Sequence, residues 1–111
     1  MENFKVIIVE DVPLELKGTE GIFRNDIPEA EIIGTAESEA TYWRLIKQQK
    51  PDMVLLDLGL GGSTTVGAEI CRQTKEMYPM IKILIFTGEI LNEKLWVDVL
   101  DAGCDGICLK S

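Results

Sequence analysis

Four short runs of the chain are apolar at consecutive positions: 5–9 (Lys-Val-Ile-Ile-Val), 53–57 (Met-Val-Leu-Leu-Asp), 82–87 (Lys-Ile-Leu-Ile-Phe-Thr) and 106–109 (Gly-Ile-Cys-Leu). Runs this short, apolar at both parities, predict strands covered on both faces of a sheet. A more mixed run over 31–36 predicts a further strand. Between the runs the apolar positions spread to helical spacing. Val12, Leu16, Phe23 and Ile27 predict a first helix, and Tyr42, Leu45 and Ile46 one over 39–49. The stretch 66–78, closed by Pro79, predicts a third, and Leu95, Val99 and Ala102 a fourth.

End signals agree with these assignments. Pro13 stands where a helix tolerates its missing N–H, Ser38 and Asn92 supply caps, and Gly103 stops the last helix. Gly18 and Gly21 weaken the first helix slightly. The alternating order β-α-β-α-β-α-β-α-β calls for a parallel sheet built from right-handed crossovers. Handedness then puts the first helix on one face and the other three on the opposite face.

A final strand with nothing after it leaves the first face short of a helix. Residues 1–111 are therefore expected to be one domain truncated before a fifth helix and any output domain. An apolar patch would be left exposed, to be covered by a partner chain such as a second copy forming a homodimer.

Composition narrows the function classes. At 111 residues and 46% hydrophobic, the chain is long enough for one real core. No apolar run approaches the roughly 18 residues that cross a bilayer, and Met1-Glu2-Asn3-Phe4 has no basic or apolar leader character. A cytoplasmic protein without a membrane partner is expected. The net charge of -8 disfavours direct nucleic-acid binding, which begins with neutralising phosphates. The absence of histidine removes Ser-His, Cys-His and zinc-histidine schemes. Cys71, Cys104 and Cys108 are expected as small buried hydrophobes.

Ligands of open parallel sheets bind at the carboxyl ends of the strands. Four strands here end in reactive groups: Glu10 and Asp11, Asp57, Thr87 and Lys110. Three carboxylates brought together repel one another unless a cation is bound, and oxygen-only donors select a hard ion such as Mg2+. A carboxylate can also act as a nucleophile toward phosphorus, giving an aspartyl phosphate. Lys110 and Mg2+ would neutralise the phosphoryl oxygens, Thr87 would donate its hydroxyl, and Gly88 would leave room for the group to approach.

The pieces Ile-Ile-Val-Glu-Asp, Leu-Leu-Asp-Leu, Ile-Phe-Thr-Gly and Gly-Cys-Asp-Gly-Ile-Cys-Leu-Lys, in this order and spacing, resemble the receiver domain of two-component response regulators. The resemblance covers essentially the whole chain. It implies a flavodoxin-like α/β sandwich with strand order 2-1-3-4-5. Position by position, Asp57 looks like the phosphoacceptor, and Glu10, Asp11, Asp57 and the Gly59 carbonyl like the Mg2+ ligands. Thr87 looks like the switch hydroxyl and Lys110 like the phosphate-pairing lysine. The phosphoryl donor would be a phosphohistidine on a sensor histidine kinase or phosphotransfer protein. Such a domain catalyses only its own phosphorylation and dephosphorylation, and is not otherwise an enzyme.

Three positions depart from the family pattern. Ile107 stands where an aromatic switch residue is usual, and Ser111 where proline follows the lysine. The loop after Asp57 lacks the usual Met-Pro and is about two residues longer when Gly67 is matched to the helix-start glycine, so residues 59–65 are expected to move freely. Ile107 and Ser111 motivate the rival reading, a pseudo-receiver that binds partners without control by phosphate. A P-loop is disfavoured because no lysine follows Gly62. A phosphohydrolase is disfavoured because Gly59 stands where a second acid would handle protons. The wording Asp-Leu-Gly-Leu at 57–60 resembles regulators with a helix-turn-helix output domain.

Overall fold

The computed structural model describes residues 3–60, 64–88 and 92–110. In chain order the elements are β1 (Phe4–Val9), α1 (Pro13–Asp26), β2 (Ala30–Ala36), α2 (Glu39–Gln48), β3 (Met53–Asp57), α3 (Thr64–Met77), β4 (Lys82–Thr87), α4 (Glu93–Asp101) and β5 (Gly106–Leu109). The five strands form one sheet in the order β2-β1-β3-β4-β5, and every pairing is parallel. This is the flavodoxin-like α/β arrangement expected from the sequence.

Strand side chains alternate between two faces, and here both faces are apolar. Ile7 and Val9, Val54 and Leu56, and Ile83 and Ile85 form a core with Tyr42 and Ile46 of α2, Ile70 and Cys71 of α3, and Val99 of α4. The intervening residues Val6, Ile8 and Leu55 turn the other way and meet Leu16 and Phe23 of α1. One helix thus serves one face and three serve the other, as the crossover rule requires.

Local chemistry sets the helix ends. The Thr41 amide donates to the Ser38 side chain at 3.3 Å, and the Leu95 amide to Asn92 Oδ1 at 2.8 Å. Gly103, at φ +89°, takes the left-handed turn that ends α4. Asp105 accepts from the Ile83 amide at 2.8 Å and from Lys75 Nζ at 3.0 Å, tying the approach to β5 to β4 and α3. The amide and the lysine outweigh the burial that opposes them, so its carboxyl is held below the usual range.

Several boundaries and burials differ from the sequence expectation. Helix α3 starts at Thr64, two residues early, and β2 at Ala30, one residue early. The loop after Asp57 is not loose along its first half: Leu58 and Leu60 are both buried. Gly61, Gly62, Ser63 and Ser111 lie outside the described residues.

The cysteines divide. Cys71 is fully buried, and desolvation pushes its thiol up to about 12, so it is the inert small hydrophobe expected. Cys108 is instead exposed. It borders a cleft of about 140 Å³ on the α1 face, lined also by Thr19, Ile22, Phe23, Leu55, Leu84 and Phe86. Cys108 of β5 meets solvent at this cleft. Trp96 is 40% exposed beside Val97 and Leu100 on α4. No helix among the described residues is long and apolar enough to cross a membrane.

Candidate functional site at the strand ends

The parallel register brings the carboxyl ends of the strands to one edge. Asp57 closes β3 opposite Phe86 of β4, which places Thr87 one residue further on, and Thr87 pairs with Leu109 immediately before Lys110. The Lys110 amide donates to the Thr87 carbonyl at 2.7 Å, fixing where the lysine side chain departs. Glu10 and Asp11 follow β1, the strand beside β3.

These side chains meet. One ligand oxygen each from Glu10, Asp11 and Asp57 lies within 4.8 Å of the others. Lys110 Nζ is 2.7 Å from Glu10 Oε1 and 3.6 Å from Asp57 Oδ1. The Gly59 amide donates to Asp57 Oδ1 at 3.2 Å and the Val12 amide to Glu10 Oε2 at 3.3 Å, so backbone orients both carboxylates. Asp57 is 8% exposed and Glu10 3%. Water therefore screens these two carboxylates poorly, while Asp11 is only partly buried.

Electrostatics follow from that crowding. Burial raises the Glu10 carboxyl above its usual range, and Asp57 pushes the same way against the opposing Lys110. Burial works to lower the Lys110 ammonium, but Glu10 and Asp57 outweigh it and hold the group above its usual range. A site that raises both its acid and its base is short of positive charge.

Other expected members are placed with different force. Thr87 is fully buried at the end of β4. A Cβ on Gly88 would meet the Lys110 stem at 3.8 Å, an ordinary contact, so the lysine alone does not require glycine there. Ile107 is half-buried and packs against the core shared with α2, α3 and α4. Sequence reasoning missed Glu15: its Oε1 lies 3.3 Å from Lys110 Nζ. The available signal was its place in the first turn of α1, four residues after Asp11.

The chain matches the model of the response regulator receiver domain over residues 6–111. It belongs to that family. Among curated relatives, this receiver domain is 29% identical to the DNA-binding transcriptional activator DevR/DosR of Mycobacterium tuberculosis, covering 96% of this chain and 47% of that protein. It is 29% identical to the transcriptional regulatory protein ComA of Bacillus subtilis, covering 96% and 49%. The chain therefore spans about half the length of such relatives, or less. Among solved structures, a LuxR-family two-component response regulator from Aurantimonas sp. superposes with a TM-score of 0.86 at 25% identity, over 99% of this chain and 76% of that one. The isolated receiver domain of RcsB from Salmonella enterica shares the fold, with a TM-score of 0.86 at 24% identity, over 98% and 78%.

Proposed function

We propose that this receiver domain takes a phosphoryl group onto Asp57 from a phosphohistidine of a sensor histidine kinase or phosphotransfer protein in the cytoplasm. The observation that carries the reading is the meeting of Lys110, Glu10, Asp11 and Asp57 at one strand edge. In the step, an Asp57 carboxylate oxygen attacks phosphorus, the P–O bond forms as the P–N bond breaks, and the departing imidazole nitrogen keeps the electron pair and takes a proton. Lys110 shifts toward the phosphoryl oxygens, and the buried Thr87 offers them its hydroxyl. Gly88 would give the group room.

The donor set fits Mg2+: three carboxylates, no nitrogen or thiolate, and a raised Glu10 that a cation would relieve. Glu10, Asp11, Asp57 and the Gly59 carbonyl would hold the ion, which would supply neutralisation of phosphoryl charge. Self-phosphorylation and self-dephosphorylation are the only reactions assigned to this chain. The output is a separate domain or partner, transcriptional in kind as the names of the relatives suggest, so nucleic acid is not met by these residues.

The α1-face cleft supports the further proposal that residues 1–111 are a receiver short of its fifth helix, the cleft being covered by that helix or by a second copy of the chain. Half-buried Ile107 supports a second reading, a pseudo-receiver, because no aromatic ring stands there to swing between positions.

Beryllofluoride with Mg2+ separates the two readings. Amide NMR shifts at Asp57, Thr87 and Lys110, absent in Asp57→Asn, are expected of a phosphate-switched receiver. A spectrum unchanged at saturating reagent would leave only the binding module.

A further inference from the structure

Lys110 has three N–H donors, and three carboxylates lie within reach of its nitrogen: Glu10 at 2.7 Å, Glu15 at 3.3 Å and Asp57 at 3.6 Å. Of these, Glu15 alone is well hydrated, with its side chain 45% exposed against 3% and 10% for the other two. Pro13 opens α1 at the position that puts Glu15 in its first turn, on the side of the helix facing the end of β5. The contact joins residues 95 apart in sequence and exists only because β5 returns beside β4.

We propose that Glu15 is a positioning residue that parks Lys110 in the unphosphorylated state and so lowers the domain's affinity for a phosphoryl group. The inference rests on Asp57 being the acceptor. Lys110 donates to Glu10 and Glu15 and stands 3.6 Å from Asp57, so the ammonium that a phosphoryl oxygen arriving at Asp57 needs is held toward two other carboxylates. Glu15 is the acceptor that yields most easily, because water replaces the lysine at its exposed oxygens whereas Glu10 has little water to turn to. The partner given up is lost from the phosphorylated state, and the Glu15 charge remains close to a group carrying about two negative charges. Both effects oppose phosphorylation. Neither touches the oxygens that hold the metal, so Glu15 sets how readily the site is occupied without being part of the machinery that occupies it.

The test compares wild type with Glu15→Gln, which keeps the shape and removes the charge. At saturating Mg2+ and low salt, Glu15→Gln is expected to bind beryllofluoride about two- to five-fold more tightly, the range an exposed ion pair commonly spans. The gain should shrink at roughly 0.5 M salt, where charges a few ångströms apart at the surface are heavily screened. A merely structural role for Glu15 would not produce that salt dependence. Wild type and Glu15→Gln with equal affinity at low salt would overturn the assignment. Wild type that binds no beryllofluoride at all overturns instead the reading of Asp57 beneath it, and this inference with it.

Discussion

At the scale of single residues, the site is a crowded balance of charge between carboxylates and one lysine. Glu10 is the clearest case, because burial raises its carboxyl above the ordinary glutamate value of 4.5. Between that value and the raised one, folded protein keeps a proton that the unfolded chain has released. Stability of the metal-free domain therefore falls as pH rises through that window, and the loss is complete above it. Glu10→Gln removes the titrating group, so its urea-denaturation stability should change less between about pH 4 and 7 than that of wild type. Parallel curves for the two proteins would contradict the assignment. The residues at strand ends were legible in the sequence, since a carboxylate closing an apolar run has no packing reason to be there. Glu15 was not, because its meaning depends on a lysine brought to it by the whole topology.

At the scale of elements, α3 shows what periodicity misses. It starts two residues before its apolar stripe predicts, because Thr64, Thr65 and Gly67 have the local character of a loop. The glycine is there for a tertiary reason: a Cβ on Gly67 would sit 2.6 Å from the Leu58 carbonyl oxygen and 2.9 Å from its Cα. Both atoms are backbone in the turn that follows Asp57, so α3 seats directly on the segment that carries Gly59. Alanine in a helix ordinarily gains up to about 1 kcal/mol over glycine, yet the clash at Gly67 should dominate. Gly67→Ala is expected to destabilise by about 1–3 kcal/mol, the usual range for overpacking. At Gly18 and Gly21 of α1 a Cβ would meet nothing, so alanine there should stabilise by about 0.5–1 kcal/mol each. Urea denaturation of the three variants checks the contrast, and a neutral or stabilising Gly67→Ala would remove the close seating from the account. The strands themselves were legible because both parities are apolar, and the helices because their stripes repeat.

At the scale of the whole molecule, the fold's contribution is convergence. Four strand ends that lie far apart in sequence deliver acids, a hydroxyl and a lysine to one edge, and a parallel sheet of order 2-1-3-4-5 is what makes them neighbours. The same topology accounts for the uneven coverage of the two faces: among the described residues, α1 is the helix packed over Leu55, Leu84 and Phe86. The sequence foretold that imbalance through crossover handedness, whereas the exposure of Cys108 became visible only once the cleft had a shape.

The claim that this convergence serves phosphoryl transfer can be tested by incubating the domain with acetyl phosphate and Mg2+, reducing with borohydride and sequencing the peptides by mass spectrometry. The account predicts conversion of Asp57, and of no other acid, to homoserine, with none formed when Mg2+ is withheld. Reduction at Glu10, Asp11 or elsewhere in preference to Asp57, or no reduction under conditions that modify a known receiver domain, would contradict it.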